Sequence, residues 1–216
     1  MKGQEVYEGQ LEKVGAVLKG HFVGTSRRHL DTYIDKDAIY PHVLLVAELC
    51  SDLVKRFTLH NVGVEYDMVV APEKGGIILS QWTAYNSAHV RRAGLEILAV
   101  YAEKKDGGFV FRRGYAKLIP GRKVLVVDDT LRTGGSAGKV VEAVRAFGGN
   151  VIGLGAIWNG GGVTAKDVGD VPRLEALINQ KLASWDEANC PLCEQGIPIN
   201  TDVGWGREFL ARKQSA

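Results

Sequence analysis

Residues 123–136 constrain the fold more than any other stretch of this chain. They read Lys-Val-Leu-Val-Val-Asp-Asp-Thr-Leu-Arg-Thr-Gly-Gly-Ser. A short apolar run, residues 123–127, leads into two adjacent carboxylates, Asp128 and Asp129. A turn rich in hydroxyls and glycine follows. Residues 136–147 then place Ala137, Val140, Val141, Val144 and Phe147 at helical spacing, before Gly148-Gly149. Strand, glycine turn and helix in that order make half of a βαβ unit. Strand-like runs at 67–71, 95–102 and 151–158 alternate with helical patterns at 43–57 and 76–93. The pattern predicts an α/β fold, a mainly parallel sheet flanked by helices with right-handed crossovers.

The flanking segments are less regular. Leu11, Val14, Val17 and Leu18 suggest a helix over 6–18 that Gly20 stops. Residues 21–40 read as polar and irregular, with a short extended piece at Tyr33-Ile34. Pro41 is expected in the first turn of the next helix. Residues 103–109 are charged and glycine-rich. With Val110-Phe111 they suggest a hairpin or mobile flap. The tail after Pro172 reads as an appendage, and no internal repeat is present.

In an open parallel sheet, ligands sit beyond the carboxyl ends of the strands. The first turn of the following helix offers free N–H groups and the positive end of its dipole. Gly134 and Gly135 allow close backbone approach, and Thr133 and Ser136 add hydroxyls. That set suits a phosphate monoester. Asp128 and Asp129 can accept from sugar hydroxyls or help hold a divalent cation. A plain capped turn, with Thr133 or Ser136 as the cap, is the bland alternative. Two adjacent carboxylates at a buried strand end weigh against it. A Walker A loop fails: in Gly135-Ser136-Ala137-Gly138-Lys139 the first glycine is misplaced, and Val140 stands where Ser or Thr is needed.

Composition narrows the classes. The chain has 216 residues, the length of one domain. Lys plus Arg is 27 and Asp plus Glu is 25, a net charge of +2. Any anion site is therefore local, and no nucleic-acid partner is expected. No apolar run suits a membrane span, and the N-terminus lacks a signal-peptide core. Three cysteines do not make a disulfide framework, so cytoplasm is the expected location.

On these residues the chain resembles the type I phosphoribosyltransferases, and within them the orotate phosphoribosyltransferases. Residues 126–136 resemble the family's signature for 5-phosphoribosyl 1-pyrophosphate (PRPP). Gly20-His21-Phe22 with Ser26 is similar to the N-terminal substrate segment. Residues 69–76 resemble the pyrophosphate loop. Tyr101-Ala102-Glu103-Lys104 through Arg112-Arg113-Gly114 resembles the catalytic flap. Cys190-Pro191-Leu192-Cys193, with Gly196 and Pro198, is similar to a tail in some bacterial and archaeal members.

The resemblance implies a single phosphoribosyltransferase domain over 1–216. Its PRPP-binding core would span about 60–160, with a hood and tail at about 1–40 and 172–216. It implies Mg²⁺-dependent transfer of a phosphoribosyl group from PRPP to a nitrogen base, releasing pyrophosphate. Orotate, in pyrimidine biosynthesis, is the first expectation for the base. Another purine or pyrimidine, or a PRPP-binding regulator without catalysis, is the alternative. Lys104, Asp128 and Asp129 are implied as catalytic. Lys74, Gly75, Lys105, Arg112, Arg113, Asp128, Asp129, Thr130, Leu131, Arg132, Thr133, Gly134, Gly135 and Ser136 are implied to bind PRPP. Mg²⁺ would be held mainly through PRPP, with Asp128 or Asp129 contributing. A homodimer is expected, because the family closes its flap over the neighbouring subunit.

The base side departs from the family pattern. Thr25 stands where a lysine is usual, Arg132 where Thr or Ser is usual, and Trp158-Asn159 where Asp-Arg is usual. Base contacts are assigned to Thr25, Arg132, Trp158 and Asn159. Arg132 is the candidate replacement cation, since Asn159 offers no cationic fork. Trp158 suits base stacking and a strand-end core position equally. The Cys190/Cys193 spacing is that of a zinc knuckle but supplies two of four ligands. Two reduced thiols shaping a turn is the favoured reading. His21 and His42 are expected in surface or capping roles.

Overall fold

The computed structural model describes residues 2–59, 63–90 and 96–214. In chain order the elements are α1 (Gln4–Lys13), β1 (Val17–Val23), β2 (His29–Ile34), α2 (Val43–Phe57), β3 (Thr58–Leu59), β4 (Gly63–Val64), β5 (Met68–Pro72) and α3 (Gly75–Val90). There follow β6 (Leu98–Lys105), β7 (Gly108–Val110), β8 (Lys123–Leu131), α4 (Gly135–Ala146), β9 (Asn150–Asn159), β10 (Leu174–Asn179), β11 (Ser184–Trp185), α5 (Pro191–Glu194) and α6 (Gly206–Gln214).

Six strands form the central sheet in the order β10-β9-β8-β5-β6-β7. All neighbours are parallel except β6 and β7, which form an antiparallel hairpin. The two-residue strand period divides the sheet's side chains between two cores. Val69, Ala71, Leu125 and Val127 join the residues of α2 and α3. Met68, Val70, Val124 and Val126 join those of α4. Burial on both faces is why these strands read as continuous apolar runs. Each fully buried Val or Leu contributes roughly 1.5–3 kcal/mol.

The strand order fixes where a ligand can enter. From β5 the chain crosses through α3 to β6 on one side; from β8 it crosses through α4 to β9 on the other. The connections diverge between β5 and β8, which opens a crevice at the carboxyl ends of those strands. A second, antiparallel sheet of β1, β2 and β11 stands beside it as a hood.

Several sequence expectations are corrected. The first helix ends at Lys13, because Gly15 takes a φ of +74° and Ala16 turns its N–H back to Leu11. Val17 and Leu18 are strand residues, and Gly20 lies within β1 at a register irregularity rather than ending a helix. Residues 21–40 are not irregular: most of β1 and β2 falls there or just before. Pro41 precedes α2, whose flanking N-terminal residue is His42. Val43 and Leu44 are exposed, and so is Phe147 just beyond α4. The end expected for the third helix and the expected strand start at Leu95 lie outside the described residues. The segment after Pro172 is not wholly an appendage: β10 completes the central sheet and β11 joins the hood.

Candidate active site

Asp128 and Asp129 lie in the carboxyl-terminal half of strand β8, both buried, where the sheet opens. Their surroundings differ. Asp129 accepts from the Tyr40 hydroxyl at 2.9 Å and from Lys36 Nζ at 3.1 Å through Oδ2. Its Oδ1 accepts from the Thr130 hydroxyl at 3.1 Å. Asp128 Oδ1 accepts the backbone N–H of Asp129 at 2.9 Å. Burial first, and the charge of Asp129 second, push the Asp128 carboxyl up to about 8. Burial alone would depress the Lys36 ammonium, but Asp129 outweighs it and holds Lys36 above its ordinary value. The Tyr40 phenol is raised by burial and then by Asp129, so it remains a donor.

Downstream, Gly134 turns the chain into α4. Its φ is +74°, and a Cβ there would stand 2.7 Å from Val168 Cγ1. Glycine is therefore required twice over. The N-cap residue of α4 is Gly134, which has no side chain to offer its first-turn N–H groups. Thr133 Oγ1 accepts only the Gly135 N–H, at 3.3 Å. Ser136 is not a cap, and it faces the cleft. The first turn of α4 thus presents N–H groups without intrahelical acceptors beside two carboxylates. The cleft they share has a volume of about 460 Å³, and residues 128–136, Thr25, Lys104 and Trp158 all line it.

A phosphoribosyl transferase domain model matches residues 37–192. This chain belongs to the phosphoribosyltransferase family. It is 39% identical over 191 residues to the orotate phosphoribosyltransferase of Pelotomaculum thermopropionicum, covering 87% of this chain and 90% of that protein. With the orotate phosphoribosyltransferase of Desulforamulus reducens it shares 37% over 186 residues, 86% of this chain and 89% of that one. The crystal structure of orotate phosphoribosyltransferase from Aeropyrum pernix matches with a TM-score of 0.57 at 23% identity, covering 79% of this chain and 91% of the other. Adenine phosphoribosyltransferase from Saccharomyces cerevisiae matches nearly as well, TM-score 0.56 at 19% identity, covering 80% and 99%. The fold is thus shared by proteins named for different bases.

In this phosphoribosyltransferase the β6–β7 hairpin and the loop after it carry the expected flap cations, and they are placed unequally. Lys104 lines the cleft, and its backbone N–H donates to Glu73 Oε1 at 2.9 Å, tying the hairpin to the loop after β5. Lys105 lines a second hollow of about 350 Å³ between the hairpin and the start of α4. Lys139 of α4 donates to the Gly107 carbonyl at 2.6 Å across that hollow. Arg112 and Arg113 lie outside the cleft, at 3.8 and 3.1 Å from the Glu103 carboxylate. Lys74 is exposed in the loop after β5 and does not line the cleft; the Glu73–Lys74 peptide is cis. Gly75 is buried behind Tyr40, and a Cβ on it would stand 2.4 Å from the Tyr40 hydroxyl. Gly75 therefore seats Tyr40 and does not line the cleft.

The base side resolves the three sequence departures differently. Thr25 lines the cleft from the turn between β1 and β2. Arg132 lines it from the end of β8, with Nη2 buried and without a hydrogen-bond partner among the described residues. Burial lowers its guanidinium, against the opposing pull of Asp31. Trp158 is both a core residue and a wall of the cleft, its Nε1 donating to the Gln180 carbonyl at 3.3 Å. Asn159 is not part of the wall. Its amide is engaged by Val163, accepting the N–H and donating to the carbonyl, both at 2.9 Å. It holds the loop after β9, whose Gly161 packs so closely that a Cβ would collide with the Arg132 carbonyl.

Lys36, Tyr40 and Glu73 were not singled out from the sequence. Tyr40 meets Asp129 across 89 residues, and nothing local to either residue signals that contact.

Proposed function

We propose that this phosphoribosyltransferase transfers the phosphoribosyl group of PRPP to orotate, giving orotidine 5′-phosphate and pyrophosphate. A ring nitrogen of the base attacks the anomeric carbon. The bond from that carbon to pyrophosphate breaks, its electron pair leaves with pyrophosphate, and the nitrogen loses its proton. One observation carries the phosphoribosyl half: the open first turn of α4 and two buried carboxylates face the same cleft. The helix turn receives the 5′-phosphate, and Asp128 and Asp129 orient the ribose hydroxyls. As positive charge develops on the sugar, the Asp129 carboxylate stabilises it electrostatically, joined by Asp128 once substrate and a bound cation have displaced its proton. Lys104 faces the departing pyrophosphate. The work is positioning and charge placement, so no side-chain nucleophile is required.

The donor set fits Mg²⁺, a hard cation that takes oxygen ligands and keeps bonds to substrate phosphates. Asp128 or Asp129 would help hold it beside PRPP, and when bound it neutralises charge on the leaving group. Orotate is favoured because the curated relatives are named for it and because the half-buried Arg132 brings to the cleft wall a cationic fork whose Nη2 has no partner among the described residues. A planar base also finds the Trp158 wall. A homodimer belongs to the same reading, and light scattering of the purified protein reads it.

The test is pyrophosphate release from PRPP and Mg²⁺ with orotate, uracil, adenine, hypoxanthine, guanine and xanthine. Release is expected with orotate, weakly with uracil, and not with the purines. Release with another base instead would overturn the orotate assignment while keeping the transferase. PRPP binding without turnover on any base would favour a regulator.

A further inference from the structure

Four side chains outside the cleft converge where the hood meets the C-terminal tail. His21 lies on β1, His29 on β2, and Cys190 and Cys193 bracket the start of α5. One ligand atom from each lies within 4.8 Å of the other three. The sequence offered only the cysteine pair; the fold brings two histidines to it across 169 residues.

We propose that His21, His29, Cys190 and Cys193 form a structural zinc site. A tetrahedral site with Zn–N near 2.0 Å and Zn–S near 2.3 Å sets N···S separations of about 3.5 Å. Here Cys190 Sγ lies 3.6 Å from His21 Nε2, and Cys193 Sγ lies 3.8 Å from His21 Nε2 and 3.4 Å from His29 Nδ1. The two imidazole nitrogens are 2.7 Å apart, closer than a shared metal would hold them, so the ion spreads the pair slightly. The S₂N₂ donor set selects zinc among the common divalent ions.

The surroundings suit that role. His21 Nδ1 donates to the Ile197 carbonyl at 2.7 Å, which fixes the tautomer and leaves Nε2 a lone pair facing the cluster. His21, His29 and Cys190 are 2%, 0% and 1% exposed. Zn²⁺ displaces one proton from each thiol. Two thiolates, two neutral imidazoles and the ion then sum to zero charge, which a buried site tolerates. The first steps of docking exist without the metal: Asn200 N–H donates to the His21 carbonyl at 2.7 Å, and Trp205 N–H to the Val23 carbonyl at 2.8 Å. Zinc would cross-link this tail to the β1–β2 hairpin, whose turn supplies Thr25 and Ser26 to the cleft wall.

The test is elemental analysis of protein purified without added metal, with cobalt replacing the native ion in a second preparation. One zinc per chain is expected. Cobalt should give visible bands of tetrahedral intensity and a thiolate charge-transfer band in the near ultraviolet. Cys193→Ser, at an exposed position that keeps the fold, should lose the charge-transfer intensity of one thiolate and most of the bound zinc. Cys193→His should retain metal with a shifted spectrum, and Cys50→Ser should change neither readout. Metal-free protein that, fully reduced, takes up no stoichiometric zinc or cobalt would overturn the proposal. So would a cobalt spectrum indifferent to Cys193.

Discussion

Tyr40 donates to Asp129 across 2.9 Å, so a residue of the segment leading to α2 helps set the carboxylate at the heart of the cleft. Gly75 makes room for that ring. Hydrogen bonds to charged groups contribute about 1.5–3 kcal/mol. Tyr40→Phe is expected to lower kcat/KM for PRPP by about 10-fold while leaving the fold intact. Gly75→Ala, by displacing Tyr40, should give a similar loss. Steady-state kinetics of both variants check this, and unchanged kcat/KM in either would detach Tyr40 from Asp129's role.

The buried Asp128 carboxyl, raised to about 8 from 3.8, makes a pH prediction for the free protein. Between those values the unfolded chain has lost the proton that the folded chain keeps. Proton uptake therefore favours the folded state there, and stability falls as pH rises from the lower value through the upper one. Asp128→Asn removes the titration. Its melting temperature relative to the parent should be higher at pH 8 than at pH 4.5. Thermal unfolding at both values reads the difference. A gap between variant and parent that does not grow with pH would mean that Asp128 is ionised in the folded protein throughout.

The parts legible in the sequence are those where one local rule acts alone. Buried parallel strands such as β8 and β9 announce themselves as apolar runs, and Gly134 marks the turn because its φ of +74° and its packing against Val168 leave no room for a side chain. A hood over 1–40 follows from the family resemblance, but its strands are not legible locally, because β1 and β2 are stabilised by pairing with each other and with β11, not by a periodic apolar face. Leu11, Val14, Val17 and Leu18 have helical spacing, yet Gly15 breaks the helix between them. In the site, the contiguous 128–136 loop was readable. Lys36 and Tyr40 were not, since their value comes from a contact made far along the chain. Asn159 shows the converse: its position in the motif points to a base contact, while Val163, four residues on, engages its amide and keeps it out of the cleft wall.

Of the cations expected in a flap, Lys104 lines the cleft, whereas Arg112 and Arg113 are held at Glu103. Removing a preorganised charge from a developing anion typically costs about 10²–10³ in kcat. Lys104→Ala is expected to lower kcat by about 10²-fold with PRPP affinity nearly unchanged. Arg112→Ala should be far milder. Turnover assays alongside calorimetric PRPP titrations separate the two effects. A Lys104→Ala enzyme with wild-type turnover would remove this residue from the catalytic set.

Arg132, the residue after β8, carries a buried guanidinium nitrogen that no described side chain or carbonyl satisfies. Such a group costs stability unless a ligand completes it. A carboxylate on the base would do so, and bidentate pairing is what a guanidinium offers and an ammonium does not. Arg132→Gln is therefore expected to raise KM for orotate by about 10–100-fold. Arg132→Lys should recover little of that loss. Uracil, which lacks the carboxylate, serves as the control: its weak turnover should be unaffected by either change. The expected signature is a collapse of the orotate-to-uracil preference. An undiminished preference in Arg132→Gln would place carboxylate recognition elsewhere on the wall.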